Sequence, residues 1–237
     1  MNETAAPGKV GGKPDATVSV EANVYPVEQG KGNLLAFASV TLGGCFAVQD
    51  LRVMNGKNGP FVAMPSKMGT DKQFHNTCFP VTSQMRKDLD SAVMEKYQSH
   101  EPPMNRDSAA KSDASMSVDV KVYPVQQSGN DKSNLLAYAS VTLGGCFAVT
   151  NMRVMNGKNG PFMALPSKMG KDRQYHNTCF PTTAAMREKL ETAVMGAYQR
   201  ATQRESVRGA VQAGQREAAA RPPQQAARAA QRAAGAR

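Results

Sequence analysis

Each half of the chain carries a histidine three residues before a cysteine, His75-x-x-Cys78 and His176-x-x-Cys179, with a second cysteine upstream at Cys45 and Cys146. Imidazole and thiolate are zinc ligands, and side by side they form a nucleophile and its base. Structural zinc takes four ligands, and neither half has a fourth cysteine or histidine; His100 has no counterpart. If residues 73–78 are extended, His75 and Cys78 point to opposite faces, which separates base from thiol. Cys45 follows Gly43-Gly44 and precedes Phe46, a place for a small buried thiol. No metal and no cofactor are expected.

The carboxylates do not suggest acid–base work either. Asp50 becomes Asn151 in the second half and Asp88 becomes Lys189, whereas Asp71 persists as Asp172 in a turn. A catalytic base would not become an amide or an ammonium in a second active copy, so neither an enzyme nor a small-molecule substrate is expected.

What both halves keep is cationic: Arg52 and Arg153, Lys57 and Lys158, Lys67 and Lys168, Lys72 and Arg173, Arg86 and Arg187. Asn55-Gly-Lys-Asn-Gly59 lacks the glycine-to-helix context of a phosphate-binding loop and reads as a hairpin turn. Lys57 and Lys158 sit at its solvated tip, where a nucleic-acid phosphate is within reach. Arg86 falls in the first turn of a predicted helix, where the macrodipole disfavours a cation; its recurrence points to an outward role, with Lys87 and Lys189 on the same exposed side. The net charge is +10, and the segment 200–237 carries eight arginines against two glutamates. Basicity on this scale fits an anionic partner, DNA and/or RNA. Tryptophan is absent, and the tyrosines and phenylalanines mostly read as core positions. Phosphate-dominated, salt-sensitive binding is therefore expected, rather than a platform for stacked bases.

The elements that position these residues come in duplicate. Residues 34–98 and 135–199 align without a gap and are identical at about three positions in four. A unit this long present twice is a duplicated domain rather than a solenoid repeat. In each copy, period-two alternation (Val18, Val20, Ala22, Val24; then Val118, Val120, Val122) marks a half-buried strand. The turn after this strand is three residues longer in the second copy (28–33 against 126–134), as a surface hairpin loop allows; strands follow over 34–42, 46–54 and 61–64, with a candidate fifth over 73–78. The period then becomes 3.6: Thr82 caps a helix with Met85, Leu89, Ala92, Val93 and Tyr97 in one stripe, and Thr183 caps its counterpart. The fold class is α+β, two tandem small domains, each an antiparallel sheet of four or five strands with one C-terminal amphipathic helix. The expected boundaries are a disordered lead 1–16, domains 17–98 and 116–200, a linker 99–115, and a basic Ala/Gln/Arg-rich tail 201–237, disordered or partly helical. No apolar run spans a membrane and four cysteines make no disulfide framework, so the cytoplasm is the expected compartment.

The run from Asp50 to Lys67 (DLRVMNGKNGPFVAMPSK) resembles the bacterial SpoVG family, the stage V sporulation protein G or septation-regulator family. The family pattern there is D-[IL]-R-V-x-[DN]-G-x-N-G-x-F-V-A-M-P-S-K; Ala36–Leu42 and the helix residues Ala92, Val93 and Tyr97 also fit. The resemblance covers nearly all of each copy. It implies a small antiparallel sheet with a C-terminal helix, dimerising through its sheet. It implies DNA or RNA binding in gene regulation, septation and sporulation, with contacts from basic helix residues, here Arg86, Lys87, Arg187 and Lys189. A protein-interaction scaffold of the division or sporulation machinery is the alternative. The linker reaches about 20–25 Å, so the two copies are expected to pair within the chain, a homo-oligomer being the other arrangement.

Overall fold

Alternation drives the first strand: Ala22 and Val24 turn inward while Glu21 and Tyr25 face water. This computed structural model describes residues 18–27, 32–69, 71–99, 116–125, 134–170 and 172–220. The first copy builds β1 (Val20–Pro26), β2 (Leu34–Leu42), β3 (Phe46–Gly56), β4 (Gly59–Ala63), β5 (Ser66–Met68), β6 (Phe74–Asn76) and β7 (Cys78–Pro80), then α1 (Ser83–Ser99). The second repeats them as β8 (Val118–Pro124), β9 (Leu135–Leu143), β10 (Phe147–Gly157), β11 (Gly160–Ala164), β12 (Ser167–Met169), β13 (Tyr175–Asn177), β14 (Cys179–Pro181) and α2 (Ala184–Ala220). The expected lead 1–16, linker residues 100–115, the hairpin loops 28–31 and 126–133 and the tail beyond Ala220 lie outside the described residues.

Each copy is α+β, an antiparallel meander followed by one helix. Helix α1 buries Met85, Leu89 and Val93. Thr82 Oγ1 accepts the Met85 amide at 3.2 Å and Thr183 Oγ1 the Met186 amide at 3.3 Å, so both expected caps are made.

The expected fifth strand over 73–78 is corrected. The segment divides at Thr77, whose buried hydroxyl donates to Pro65 O at 3.1 Å. Before the break, β6 pairs with β5 in a two-stranded hairpin. After it, β7 pairs with β10 of the second copy, Cys78 opposite Val149 and Pro80 opposite Phe147. The second copy reciprocates: β14 pairs with β3, Cys179 opposite Val48 and Pro181 opposite Phe46. Flanking amides continue the exchange, with Gln49 N donating to Thr178 O and Thr150 N to Thr77 O, both at 2.7 Å. Each main sheet thus has five strands, one of them from the other copy.

The buried apolar residues of both copies form a continuous core. Gly144 (φ +55°) lies where the copies meet: a Cβ there would stand 2.6 Å from Val18 Cγ2, so glycine serves both the backbone and the close approach. The chain divides into two compact units, one through Tyr198 holding both copies and one from Gln199 onward.

Candidate functional site

The His-x-x-Cys spacing resolves into two unrelated environments. His75 is exposed and its Nε2 lies 2.8 Å from Asp71 Oδ2; His176 lies 2.7 Å from Asp172. The Gln73 amide donates to Asp71 Oδ1 at 3.1 Å. That bond, followed by His75, holds the Asp71 carboxyl below the usual carboxylate range, and Gln174 and His176 do the same for Asp172. Gly69 permits this knot, because a Cβ there would stand 2.5 Å from Asp71 Oδ1. Cys78 and Cys179 are fully buried on the exchanged strands. The neighbouring Cys78 thiol, together with burial, pushes the Cys179 thiol well above its ordinary value. Among the described residues no three His, Cys, Asp or Glu side chains converge as metal ligands.

The Asn-Gly-Lys-Asn-Gly segments close as tight hairpins, Gly56 opposite Gly59 and Gly157 opposite Gly160, with Lys57 and Lys158 exposed at the tips. Among the turn residues only Gly59 and Gly160 take positive φ. The rings of Phe61 and Phe162 lie over Gly56 and Gly157.

The helix cations divide. Arg86 is half-buried, with Nε 2.7 Å from Asp90 Oδ2 and Nη2 donating to Val62 O at 2.7 Å. Its guanidinium ties α1 to β4 while part of the side chain stays exposed to solvent. Lys189 Nζ donates to Met116 O at 2.8 Å. Arg187 is exposed, 3.9 Å from Glu191, and Lys87 is exposed.

The aromatic residues also differ from expectation. Tyr25, Phe37, Phe61, Phe74, Tyr123, Tyr138, Phe162 and Tyr175 are exposed rather than core. Only Phe46 and Phe147 are fully buried among the aromatics. A strand with one wet face hides this from a sequence reading, since aromatic residues suit either face. Register aligns four of them into rows. On the first sheet Tyr25 stands opposite Phe37, and Phe37 opposite Arg52. On the second, Tyr123 stands opposite Tyr138, and Tyr138 opposite Arg153. Each row runs ring, ring, guanidinium across three strands.

The hairpin of the other copy overhangs each row. On the first sheet, Tyr25, Phe37, Arg52, Lys168 and His176 line a cavity of about 680 Å³. On the second, Tyr138, Arg153 and Lys67 line one of about 100 Å³. Lys67 and Lys168 therefore serve the sheet of the opposite copy, a placement no pattern within one copy could reveal.

In α2, Arg200, Arg204 and Arg208 recur every four residues around a shallow groove with Gln203 and Val207, giving a cationic stripe. No described helix is long and apolar enough to cross a membrane.

Comparison with known proteins agrees with this architecture. The SpoVG family model matches twice, over residues 18–99 and 116–200. A relative in Macrococcus caseolyticus bearing the septation-protein SpoVG name is 48% identical over 62 residues, 26% of this chain and 54% of its own length. One in Staphylococcus saprophyticus is 40% identical over 87 residues, 37% of this chain and 86% of its own. One in Bdellovibrio bacteriovorus is 40% identical over 78 residues, 33% of this chain and 70% of its own. The first match thus spans just over half of that relative, and each covers about one copy of this chain.

Proposed function

The chain belongs to the SpoVG family, and on that premise we propose that it is a non-enzymatic, cytoplasmic nucleic-acid-binding regulator acting in septation. The observation that carries this reading is the pair of ring–ring–guanidinium rows, each overhung by a lysine of the opposite copy. Cations attract the phosphate backbone irrespective of sequence, and exposed rings stack on unpaired bases. Lys57, Lys158, Lys87 and Arg187 add exposed charge, as does the arginine stripe of α2.

One chain supplies both halves of this surface. The exchange of β7 and β14 supports a monomer that acts as a covalently joined pseudo-dimer.

The test is equilibrium binding of labelled single-stranded DNA, single-stranded RNA and duplex DNA at two salt concentrations, with the whole chain and with a chain ending at Arg200. Affinity that falls steeply with salt and persists in the shortened chain supports the reading. If the shortened chain loses binding, the tail and not the paired sheets is the interface. If nothing binds, a protein-interaction scaffold is the better description.

A further inference from the structure

The two rows are not electrostatically equal, and the reason lies in one backbone position. Both β3 and β10 carry a bulge against the neighbouring strand, between Val48 and Leu51 and between Val149 and Met152. The bulged residue takes a left-handed backbone, φ 64° at Asp50 and 65° at Asn151. Aspartate and asparagine are the non-glycine residues best suited to that conformation. Exchanging one for the other therefore leaves the bulge intact, removes the charge and replaces an acceptor oxygen by an amide donor.

In the first copy the charge is used internally. Asp50 Oδ2 lies 2.9 Å from Lys168 Nζ, and Oδ1 lies 3.6 Å from Arg52 Nη2. Two cations share one carboxylate. In the second copy the equivalent cations, Lys67 and Arg153, line a cavity with Asn151, Thr77, Tyr138, Pro166 and Ser167. No carboxylate lines that cavity, and among the described residues no acidic side chain pairs with either cation. Two like charges held together without a counter-charge repel, and an anion between them relieves the cost.

We propose that Lys67, Arg153 and Asn151 form an anion site for one phosphodiester group of a single-stranded nucleic acid. Asp50 closes its counterpart in the first copy, so the chain presents one open site rather than two. The inference rests on the nucleic-acid reading above and gives it a contact and an asymmetry. The guanidinium offers a fork to two phosphate oxygens, the ammonium a point charge and the Asn151 amide a neutral donor. Tyr138, 46% exposed and directly opposite Arg153, offers the adjoining base a ring face, followed by Tyr123. That ring continuity favours nucleic acid over a lipid headgroup.

The test uses full-length chain and labelled oligo-dT and oligo-U. Asn151→Asp should install the missing carboxylate, weaken binding about tenfold at low salt and lower the salt slope by about one. Asp50→Asn should open the second site, tighten binding and raise the slope by about one. Ser99→Asp, exposed at the last residue of α1, adds the same charge away from the site and from the binding cations and should change little. Equal effects of Asn151→Asp and Ser99→Asp would overturn the site, as would binding unchanged in both exchange variants. If wild-type chain binds neither oligonucleotide, the functional reading itself fails. If Asn151→Asp weakens binding to phosphatidylglycerol vesicles but not to oligonucleotides, the phosphate is a lipid's and the proposal falls. Matching circular dichroism and melting of all variants keeps the comparison one of charge.

Discussion

Cys179 of the second copy stands opposite Val48 of the first, and that register joins the two repeats into one sheet system. Because β3 and β10 each have a strand from the other copy as neighbour, neither sheet can lose its partner and stay complete. The two copies are expected to unfold together. Leu51→Ala, at a fully buried position of β3, should cost about 2–5 kcal/mol and lower amide protection in both copies. Calorimetry should give one transition; two resolved transitions would contradict the coupling. The isolated first copy should associate into dimers by sedimentation, its β7 completing another β3.

The four thiols are expected to be silent in the native chain. All are buried, and Cys78 and Cys179 are at 0% exposure. A thiol-specific chromogenic reagent should react with them only as fast as the fold opens, and fully in denaturant. The Cys179 thiol is raised by its Cys78 neighbour and by burial, so the folded chain keeps a proton that the unfolded chain releases. Stability is therefore whole below the ordinary thiol range and falls as pH climbs through it. Rapid labelling of native chain at neutral pH would contradict the packing.

The helix stripe, the threonine caps and the strand alternation were legible because each is a local signal repeated in both copies. The exchange of Cys78–Pro80 and Cys179–Pro181 was not: three residues carry no period, and the two Cys-Phe-Pro segments are identical. Identical segments contain nothing to say which sheet each joins. The break at Thr77 is set by its bond to Pro65, a tertiary contact. The candidate cations were found as residues, but their grouping was hidden for the same reason, since Lys67 and Lys168 act across the copies. The exchange of Asp50 for Asn151 argues against a catalytic carboxylate, and both residue types suit the left-handed backbone that the two positions share.

Arg86 and Lys87, neighbours on α1, are expected to report different things. Arg86→Ala removes the donor to Val62 O and the partner of Asp90, whose Oδ1 is buried with no hydrogen bond. It should cost roughly 1 kcal/mol, reduced by its exposure to solvent. Lys87→Ala should leave the melting temperature in place and reduce the salt dependence of nucleic-acid binding. Denaturant titration and binding on both variants separate the roles; equal melting temperatures would overturn the tie to β4.

The Asp71 knot gives an acid-side prediction. The Gln73 amide, then His75, hold the carboxyl low, so on acidification the unfolded chain takes up a proton before the folded one. The contribution is present above the ordinary carboxylate pKa and lost as pH falls through the lowered folded value. Carboxyl-carbon magnetic resonance should give Asp71 and Asp172 midpoints below that of a free aspartate, with Asp71→Asn abolishing the first alone. Midpoints in the ordinary range would contradict the geometry.

The ring rows yield the most direct functional prediction. Tyr138 sits on the wet face of β9 between Tyr123 and Arg153, so removing its ring leaves the core untouched. If bases stack there, Tyr138→Ala should weaken single-strand binding by about 1–3 kcal/mol and spare duplex binding. The first copy has Phe37 at the equivalent place, which makes the ring, not the hydroxyl, the shared feature. Tyr138→Phe should therefore bind as wild type. Loss in both variants would assign the effect to a hydroxyl hydrogen bond; loss in neither would leave the backbone cations as the whole interface. A stacking contact also depends little on ionic strength, unlike a phosphate contact. The affinity gap between Tyr138→Ala and wild type should thus persist at high salt, where the gap for Lys87→Ala closes.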